Sequence, residues 1–283
     1  MEGILIVNKP KGITSRDVVN KVCKILNTKK IGHTGTLDPL ATGVLVLCIG
    51  KATKLVEILT SNDKEYIAEV KLGILTDTLD TDGNILEEKQ VNLKQDNLIK
   101  VLNSFIKKYE QQVPIYSAVK INGKKLYEYA RINEDVTLPS RMVDIKDIKL
   151  LEYSNDSYKF KVEVSKGTYI RSLIKDINDE LDIIGVMKSL QRVRQGIFNI
   201  TDSYSIEDIQ NGNYKIFSIT DVLKDDNSVI IDDNLYNSIK NGSLIDNIYD
   251  KDNVTFIYNN EVIAIYKVYD KDNSKLKPYK MFI

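Results

Sequence analysis

The order of apolar patterns along the chain constrains its fold more than any other feature. Apolar residues alternate with polar ones from Lys64 to Leu72, which is typical of a half-buried strand. Apolar residues three and four positions apart predict an amphipathic helix over residues 93–109. Strand-type patterns at 143–153 and 158–164 predict a hairpin. Because these patterns mix without strict βαβ alternation, they predict an α+β fold rather than a doubly wound sheet.

Composition and charge both change towards the end of the chain. From about residue 225, Asn and Asp cluster between short apolar pieces, which indicates a small β-rich unit. We therefore predict two domains, at residues 1–224 and 225–283. Residues 201–283 carry 9 basic and 14 acidic residues, a net charge of −5, although the whole chain has 40 of each. A polyanionic partner is therefore expected on the N-terminal body.

Few residues are available for metal, disulfide or membrane chemistry. Two cysteines and one histidine exclude most metal clusters and any disulfide framework. No apolar run is long enough to span a bilayer, and the short apolar segment at the N-terminus lacks the basic lead of a signal peptide. A glycine fingerprint for a nucleotide cofactor is also missing. We expect a cytoplasmic protein that requires no cofactor and no metal.

The loop from Gly32 to Gly43 is the main candidate for a functional site. It reads Gly-His-Thr-Gly-Thr-Leu-Asp-Pro-Leu-Ala-Thr-Gly. Its glycines and its proline define a tight path, and Pro39 disfavours helical geometry at Asp38. Catalytic groups concentrate on loops held by rigid flanks, so Asp38 is a candidate catalytic carboxylate. Composition alone leaves an ordinary Asp-Pro turn as the alternative.

Several motifs in register resemble those of the TruB-type tRNA pseudouridine synthases. The loop around Asp38 resembles the catalytic loop of that family. The other matching motifs are Lys9-Pro10-x-Gly12-x-Thr14-Ser15, Lys64-x-Tyr66 with Leu72-Gly73 and Thr76-Asp77-Thr78-x-Asp80-x-Asp82-Gly83, Pro114-x-Tyr116-Ser117-Ala118-x-Lys120 with Gly123 and Tyr127, Ser165-Lys166-Gly167-Thr168-Tyr169-Ile170-Arg171, and Leu190-x-Arg192. The resemblance covers roughly residues 3 to 198, and the rest resembles the family's PUA-like C-terminal domain more loosely.

The resemblance implies a fold and an activity. The fold is the pseudouridine synthase fold, with a central mixed, mostly antiparallel sheet flanked by helices and a small β-rich PUA-like C-terminal domain. The activity is that of an isomerase in tRNA processing, which converts the uridine at position 55 in the T-loop of tRNA to pseudouridine. The implied partner is the T-stem-loop of tRNA, without a membrane and without a required protein partner. We expect a monomer.

The resemblance implies three catalytic residues. Asp38 is the nucleophile, and a carboxylate suits this role because it is anionic at neutral pH without a separate base. Arg171 pairs with Asp38, since a nearby guanidinium stabilises a carboxylate that loses solvent. Tyr66 stacks on the target base and assists removal of its C5 proton. Whether Asp38 attacks C1′, attacks C6 or assists a glycal-forming elimination remains open.

The resemblance also implies four substrate-binding residues. His33 enters the space that the extracted base leaves, Tyr169 contacts the substrate and Leu190 lines the uridine pocket. Lys9 is the best candidate for a phosphate contact, because it belongs to a matching motif. Further basic residues near the motifs predict an RNA-binding surface, namely Lys11, Arg16, Lys29, Lys30, Lys51 and Lys54. The C-terminal lysines Lys275, Lys277 and Lys280 are candidates for local RNA contacts.

Two other functions compete with this hypothesis. The chain could be a non-catalytic module that binds or folds tRNA with the same surface. It could also be a relative that acts on guide-directed targets, although such proteins tend to be longer and to carry basic tails. A glycosidase is disfavoured, because the sequence marks one carboxylate rather than two.

Overall fold

A computed structural model describes residues 1–132, 134–224 and 227–283. The strands of the N-terminal body are β1 Gly3–Lys9, β2 Ile31–His33, β3 Thr42–Ile49, β4 Lys64–Leu72, β5 Ile74–Thr76, β6 Ile85–Glu88, β7 Lys108–Gln112, β8 Lys120–Ile121, β9 Lys124–Lys125, β10 Ser140–Tyr153, β11 Ser157–Val164, β12 Gly185–Gln195 and β13 Phe198–Asn199. The later strands are β14 Ser228–Ile230, β15 Ile245–Asp246, β16 Asn253–Tyr258, β17 Glu261–Tyr269 and β18 Asp272–Met281. The helices are α1 Ser15–Ile25, α2 Val56–Thr60, α3 Gln95–Ser104, α4 Leu126–Arg131, α5 Ile170–Glu180, α6 Ile206–Gln210, α7 Ile219–Leu223 and α8 Asp233–Lys240.

A nine-stranded sheet forms the centre of the body. Its main path is β1-β3-β12-β4-β11-β10-β7, with β2 beside β3 and β13 beside β12. Neighbouring strands are antiparallel, except that β3 and β12 run parallel. The predicted α+β class and the mixed, mostly antiparallel sheet are therefore confirmed.

Alternating residues of β1 bury both faces of the sheet. Leu5 and Val7 belong to the apolar cluster that α1 covers, whereas Ile4 and Ile6 belong to a cluster on the opposite face. That second cluster includes Phe282 from the end of the chain. Because successive side chains of a strand point to opposite faces, this one short strand contributes to an apolar cluster on each side of the sheet.

The other half of the sheet is covered by α3 and α5, which pack on β4, β11 and β12. The helix predicted over 93–109 is shorter than expected, because α3 ends at Ser104 and Lys108–Gln112 form β7. β7 pairs antiparallel with β10, and these ladder hydrogen bonds outweigh local helix propensity. Thr168 does not cap α5, since its hydroxyl donates to the Ser165 carbonyl and the helix begins at Ile170.

The C-terminal part has its own five-stranded sheet, in the order β14-β16-β17-β18-β15. The predicted β-rich C-terminal unit is therefore confirmed. The predicted boundary between residues 224 and 225 remains a prediction, because residues 225 and 226 lie outside those that the structure describes. Across the described ranges, no helix combines the length and the apolar character needed to cross a membrane.

Gly43 lets β3 and β12 approach each other closely beside the candidate loop. Its φ is +98°, and a Cβ there would lie 2.2 Å from the Arg192 carbonyl oxygen. We expect Gly43→Ala to lower the free energy of unfolding by roughly 3 kcal/mol or more, because backbone atoms cannot move aside as a side chain can.

Gly212→Ala is the matched control in urea unfolding. Gly212 also has a positive φ, +79°, but nothing lies within 4 Å of the place that a Cβ would take there. It should cost only about 1 kcal/mol, the strain of the backbone conformation. If Gly43→Ala and Gly212→Ala lowered the free energy of unfolding equally, the close approach of β3 and β12 could not explain the effect at Gly43.

Candidate active site

The loop that carries Asp38 is held by the start of α1. The Ser15 hydroxyl accepts a hydrogen bond from the Leu37 amide at 2.8 Å and donates to the Leu37 carbonyl at 3.1 Å. The Gly12 amide donates to the Pro39 carbonyl at 2.8 Å. The motif from Lys9 to Ser15 therefore fixes both neighbours of Asp38, which gives this motif a structural role next to the loop.

Lys9 lies beneath this loop rather than on the surface. Its side chain is fully buried, and its ammonium donates to the carbonyls of Pro10, Pro39 and Ala41 at 2.9, 3.3 and 2.7 Å. The phosphate contact predicted for Lys9 is therefore contradicted, because RNA cannot reach this ammonium. Lys9 instead supports the segment that follows Asp38.

The buried ammonium of Lys9 predicts a pH-dependent stability. Burial lowers the pKa of Lys9 from 10.5 to about 8. Between these values the unfolded chain binds more protons than the folded protein, so the free energy of unfolding rises with pH. From pH 8 to pH 10, wild type should gain about 2 kcal/mol more than Lys9→Met, measured by urea unfolding. Lys11→Met, at an exposed lysine, should behave like wild type, whereas equal gains in wild type and Lys9→Met would contradict the assignment.

Asp38 and Arg171 form an ion pair across 133 residues of sequence, with an Nη2–Oδ2 distance of 3.0 Å. The Arg171 side chain is only 6% exposed, whereas that of Asp38 is 39% exposed. Arg171 also donates to the Thr78 carbonyl at 3.0 Å and the Tyr116 carbonyl at 2.9 Å. The guanidinium therefore joins three loops and leaves the carboxylate accessible.

A cavity of about 530 Å³ opens over this ion pair. Tyr66, Tyr169 and Leu190 line it together with Asp38 and Arg171. The alternation in β4 buries Tyr66 on the predicted face, and Leu190 lies opposite Ala68 of that strand. The fold thus brings five of the seven predicted site residues to one cavity that combines an anion, a buried cation and aromatic walls.

His33 and Lys9 are not among the residues that line the cavity. His33 ends β2, opposite Leu47 of β3, and is half-buried. Burial lowers its pKa, and the positive charges of Arg192 and Arg16 lower it further. The lowered pKa favours the uncharged form of the His33 ring next to the loop.

Other cavity residues had been given no role from the sequence. Tyr116, Ser117 and Tyr127 line the cavity from the third matching motif. The Ser117 hydroxyl is buried and has no hydrogen-bond partner among the described residues. No local periodicity singles out these positions, because this stretch forms regular strand only at Lys120–Ile121.

Two further buried cations hold neighbouring backbone, since Arg192 supports the loop at Gly35 and Lys64 supports the end of α2. Arg192 donates to the Val44 carbonyl at 2.6 Å and to the Gly35 carbonyl at 3.0 Å. Lys64 donates to the Thr60 carbonyl at 2.9 Å, and burial lowers its pKa to about 8. Both residues belong to matching motifs, and their hydrogen bonds to backbone carbonyls explain what these two cations contribute to the structure.

The predicted basic surface is only partly available. Lys11, Arg16, Lys29, Lys30, Lys51 and Lys54 are all exposed, although the Lys54 ammonium also donates to the Met281 carbonyl. Each of the three C-terminal lysines is paired with a carboxylate, as Lys275 with Asp246, Lys277 with Asp270, and Lys280 with Glu57. RNA attraction should therefore come mainly from the N-terminal body.

Comparisons with known proteins place this site in context. The model of the TruB family pseudouridylate synthase (N terminal domain) matches residues 23–170. A tRNA pseudouridine synthase B of Bacillus cytotoxicus is 41% identical over 300 residues, covering 100% of this chain and 98% of that protein. The protein of the same name from Mesoplasma florum is 44% identical over 271 residues, covering 94% and 93%. A solved structure of a Cbf5-Nop10-Gar1 complex matches with a TM-score of 0.76 and 26% identity, covering 99% of this chain and 85% of that one.

Proposed function

Because the chain belongs to the TruB family and is a pseudouridine synthase, we propose that it converts the uridine at position 55 in the T-loop of tRNA to pseudouridine, with Asp38 as the nucleophile. The observation that carries this proposal is the 3.0 Å pair between Asp38 and the buried Arg171 in a cavity of nucleotide size. Relatives named tRNA pseudouridine synthase B support tRNA as the substrate.

The reaction requires little beyond an anion and a closed cavity. The N1–C1′ bond breaks, the base turns and C5 joins C1′. The C5 proton leaves to solvent and N1 takes up a proton, so that the product is an isomer of the substrate. Asp38 supplies the anion, and its pairing with Arg171 holds the carboxylate in one orientation. All three routes, through C1′, C6 or a glycal, begin from this carboxylate.

The remaining cavity residues hold the extracted base. Stacking on a tyrosine returns about 1–3 kcal/mol per base, which offsets a large part of the cost of taking the uridine out of its loop. Tyr66 is the stacking partner inside the cavity and is placed to take part in removal of the C5 proton. Tyr169 and Leu190 form further walls, while His33 occupies the place that the base leaves in the RNA.

Assembly and location form the second part of the proposal. We propose that the chain acts as a cytoplasmic monomer and needs no protein partner. Its free cysteines Cys23 and Cys48 agree with a reducing compartment. Identity above 40% over nearly the whole chain to relatives named tRNA pseudouridine synthase B favours direct action on tRNA over the guide-directed alternative. Size-exclusion chromatography of the active protein tests this part, and an activity that required an added protein would contradict it.

Release of tritium from C5 tests the activity. The protein is incubated with an unmodified T-arm minihelix that carries tritium at C5 of its uridines. We expect release of tritium from one uridine per minihelix, because recognition depends on the shape of the loop. Binding without release would instead support the non-catalytic module.

A further inference from the structure

Arg141 lies at the edge of the cavity that contains Asp38. It is the second residue of β10, and its guanidinium carbon lies 5.3 Å from the centroid of the Tyr169 ring. Its side chain passes over Gly167, where a Cβ would meet the Arg141 Nη1 at 3.2 Å. Gly167 and Tyr169 both line the cavity. The guanidinium is therefore held against two residues that line the cavity, although Arg141 itself is not a lining residue.

Arg141 and Tyr169 share one rigid support. Gln111 of β7 is the register partner of Arg141, and its buried side-chain oxygen accepts from the Tyr169 amide at 2.8 Å. The Gln111 side-chain nitrogen donates to the Tyr109 hydroxyl, which donates to Asp176, both at 2.9 Å. This network limits movement of the arginine relative to the ring.

Arg141 also has an uncommitted charge. It forms no ion pair with any carboxylate in the described part of the chain. The cavity's Arg171 is occupied by Asp38 and two carbonyls, and Lys9 is buried under the loop. A guanidinium stacked on a ring keeps its N–H groups in its own plane, where their fork matches the oxygens of a phosphate.

We propose that Arg141 binds a phosphate that flanks the extracted uridine. The inference rests on the proposed function, because it concerns the same cavity and the same RNA. An extracted nucleotide stays joined to the strand by the phosphates on its 5′ and 3′ sides. These charges remain at the edge of the cavity when the base enters, and Arg141 lies at that edge. The contact that the sequence assigned to Lys9 thus belongs to Arg141.

The salt dependence of binding separates this role from mere support of Tyr169. For the T-arm minihelix, Arg141→Ala should raise Kd about 10-fold and reduce the slope of log Kd against log salt by about 0.7 to 0.9, the loss of one phosphate contact. Arg141→Lys keeps the charge but not the fork, so its slope should stay near wild type at intermediate affinity. Arg194→Ala, which removes an arginine paired with Glu163, is the control and should leave the slope unchanged.

Minihelices with one neutral methylphosphonate link identify the phosphate. The link is placed on the 5′ or the 3′ side of the target uridine. We expect one of the two substrates to bind wild type about 10-fold more weakly while leaving Arg141→Ala unaffected. An unchanged salt slope in Arg141→Ala, or equal losses in both proteins, would overturn the inference. A minihelix that binds wild type with these effects but releases no tritium would instead refute the proposed activity.

Discussion

Replacing Asp38 with Asn is expected to lower the rate of pseudouridine formation by about 10⁴-fold or more. The amide keeps the shape of the carboxylate but is neither anionic nor nucleophilic. Single-turnover tritium release from the minihelix measures the loss. Binding of tRNA should stay within about 3-fold of wild type, because phosphate contacts elsewhere dominate affinity.

Asp156→Asn is the matched control for this substitution. It removes one negative charge at an exposed turn between β10 and β11, and it should leave the rate within about 2-fold of wild type. If Asp38→Asn kept more than about 1% of the wild-type rate, another group would have to be the nucleophile. The Asp38→Ala variant has no side-chain amide at this position, so it shows whether any residual activity of Asp38→Asn comes from the asparagine side chain.

Arg171→Lys should lower kcat about 100-fold and also reduce stability. One ammonium cannot bind Asp38, the Thr78 carbonyl and the Tyr116 carbonyl together, as the guanidinium does. The buried carbonyls then lose partners, at a cost of about 2–3 kcal/mol, which corresponds to a fall in Tm of several degrees. Single-turnover rates and thermal unfolding measure the two effects.

Arg194→Lys provides the comparison for this variant. Arg194 pairs with Glu163 at 2.9 Å and is not among the residues that line the cavity, so the kcat and the Tm of this variant should stay close to wild type. A fall in kcat for Arg171→Lys without a fall in Tm would mean that the Arg171 guanidinium acts through Asp38 alone and that its two carbonyl contacts do not stabilise the fold. Full activity and an unchanged Tm for Arg171→Lys would contradict the claim that the guanidinium joins three loops.

Local periodicity was sufficient to predict much of the fold. The predicted alternation of β4 is confirmed from Glu65 to Leu72, because the sequence of a half-buried strand reflects which face is buried. The helix over residues 93–109 was too long, since β7 exists only through its pairing with β10. Such a pairing depends on residues about 30 positions away, and no local window contains it.

In the candidate site, too, local sequence predicted some features, whereas others depend on residues that are distant in sequence. Resemblance to a family was needed to connect Asp38 with Arg171, since no periodicity joins residues so far apart in sequence. Lys9 was misjudged because sequence records its charge but not its burial, which arises from carbonyls at positions 39 and 41. Arg141 lies outside the matching motifs, and only the fold shows that it reaches Tyr169.

The modification map of unmodified tRNA treated with the wild-type protein tests the central claim most directly. We expect one new pseudouridine, at position 55 in the T-loop, and none after treatment with Asp38→Ala. Pseudouridine at other positions only, or an unchanged tRNA that the protein nevertheless binds, would contradict it.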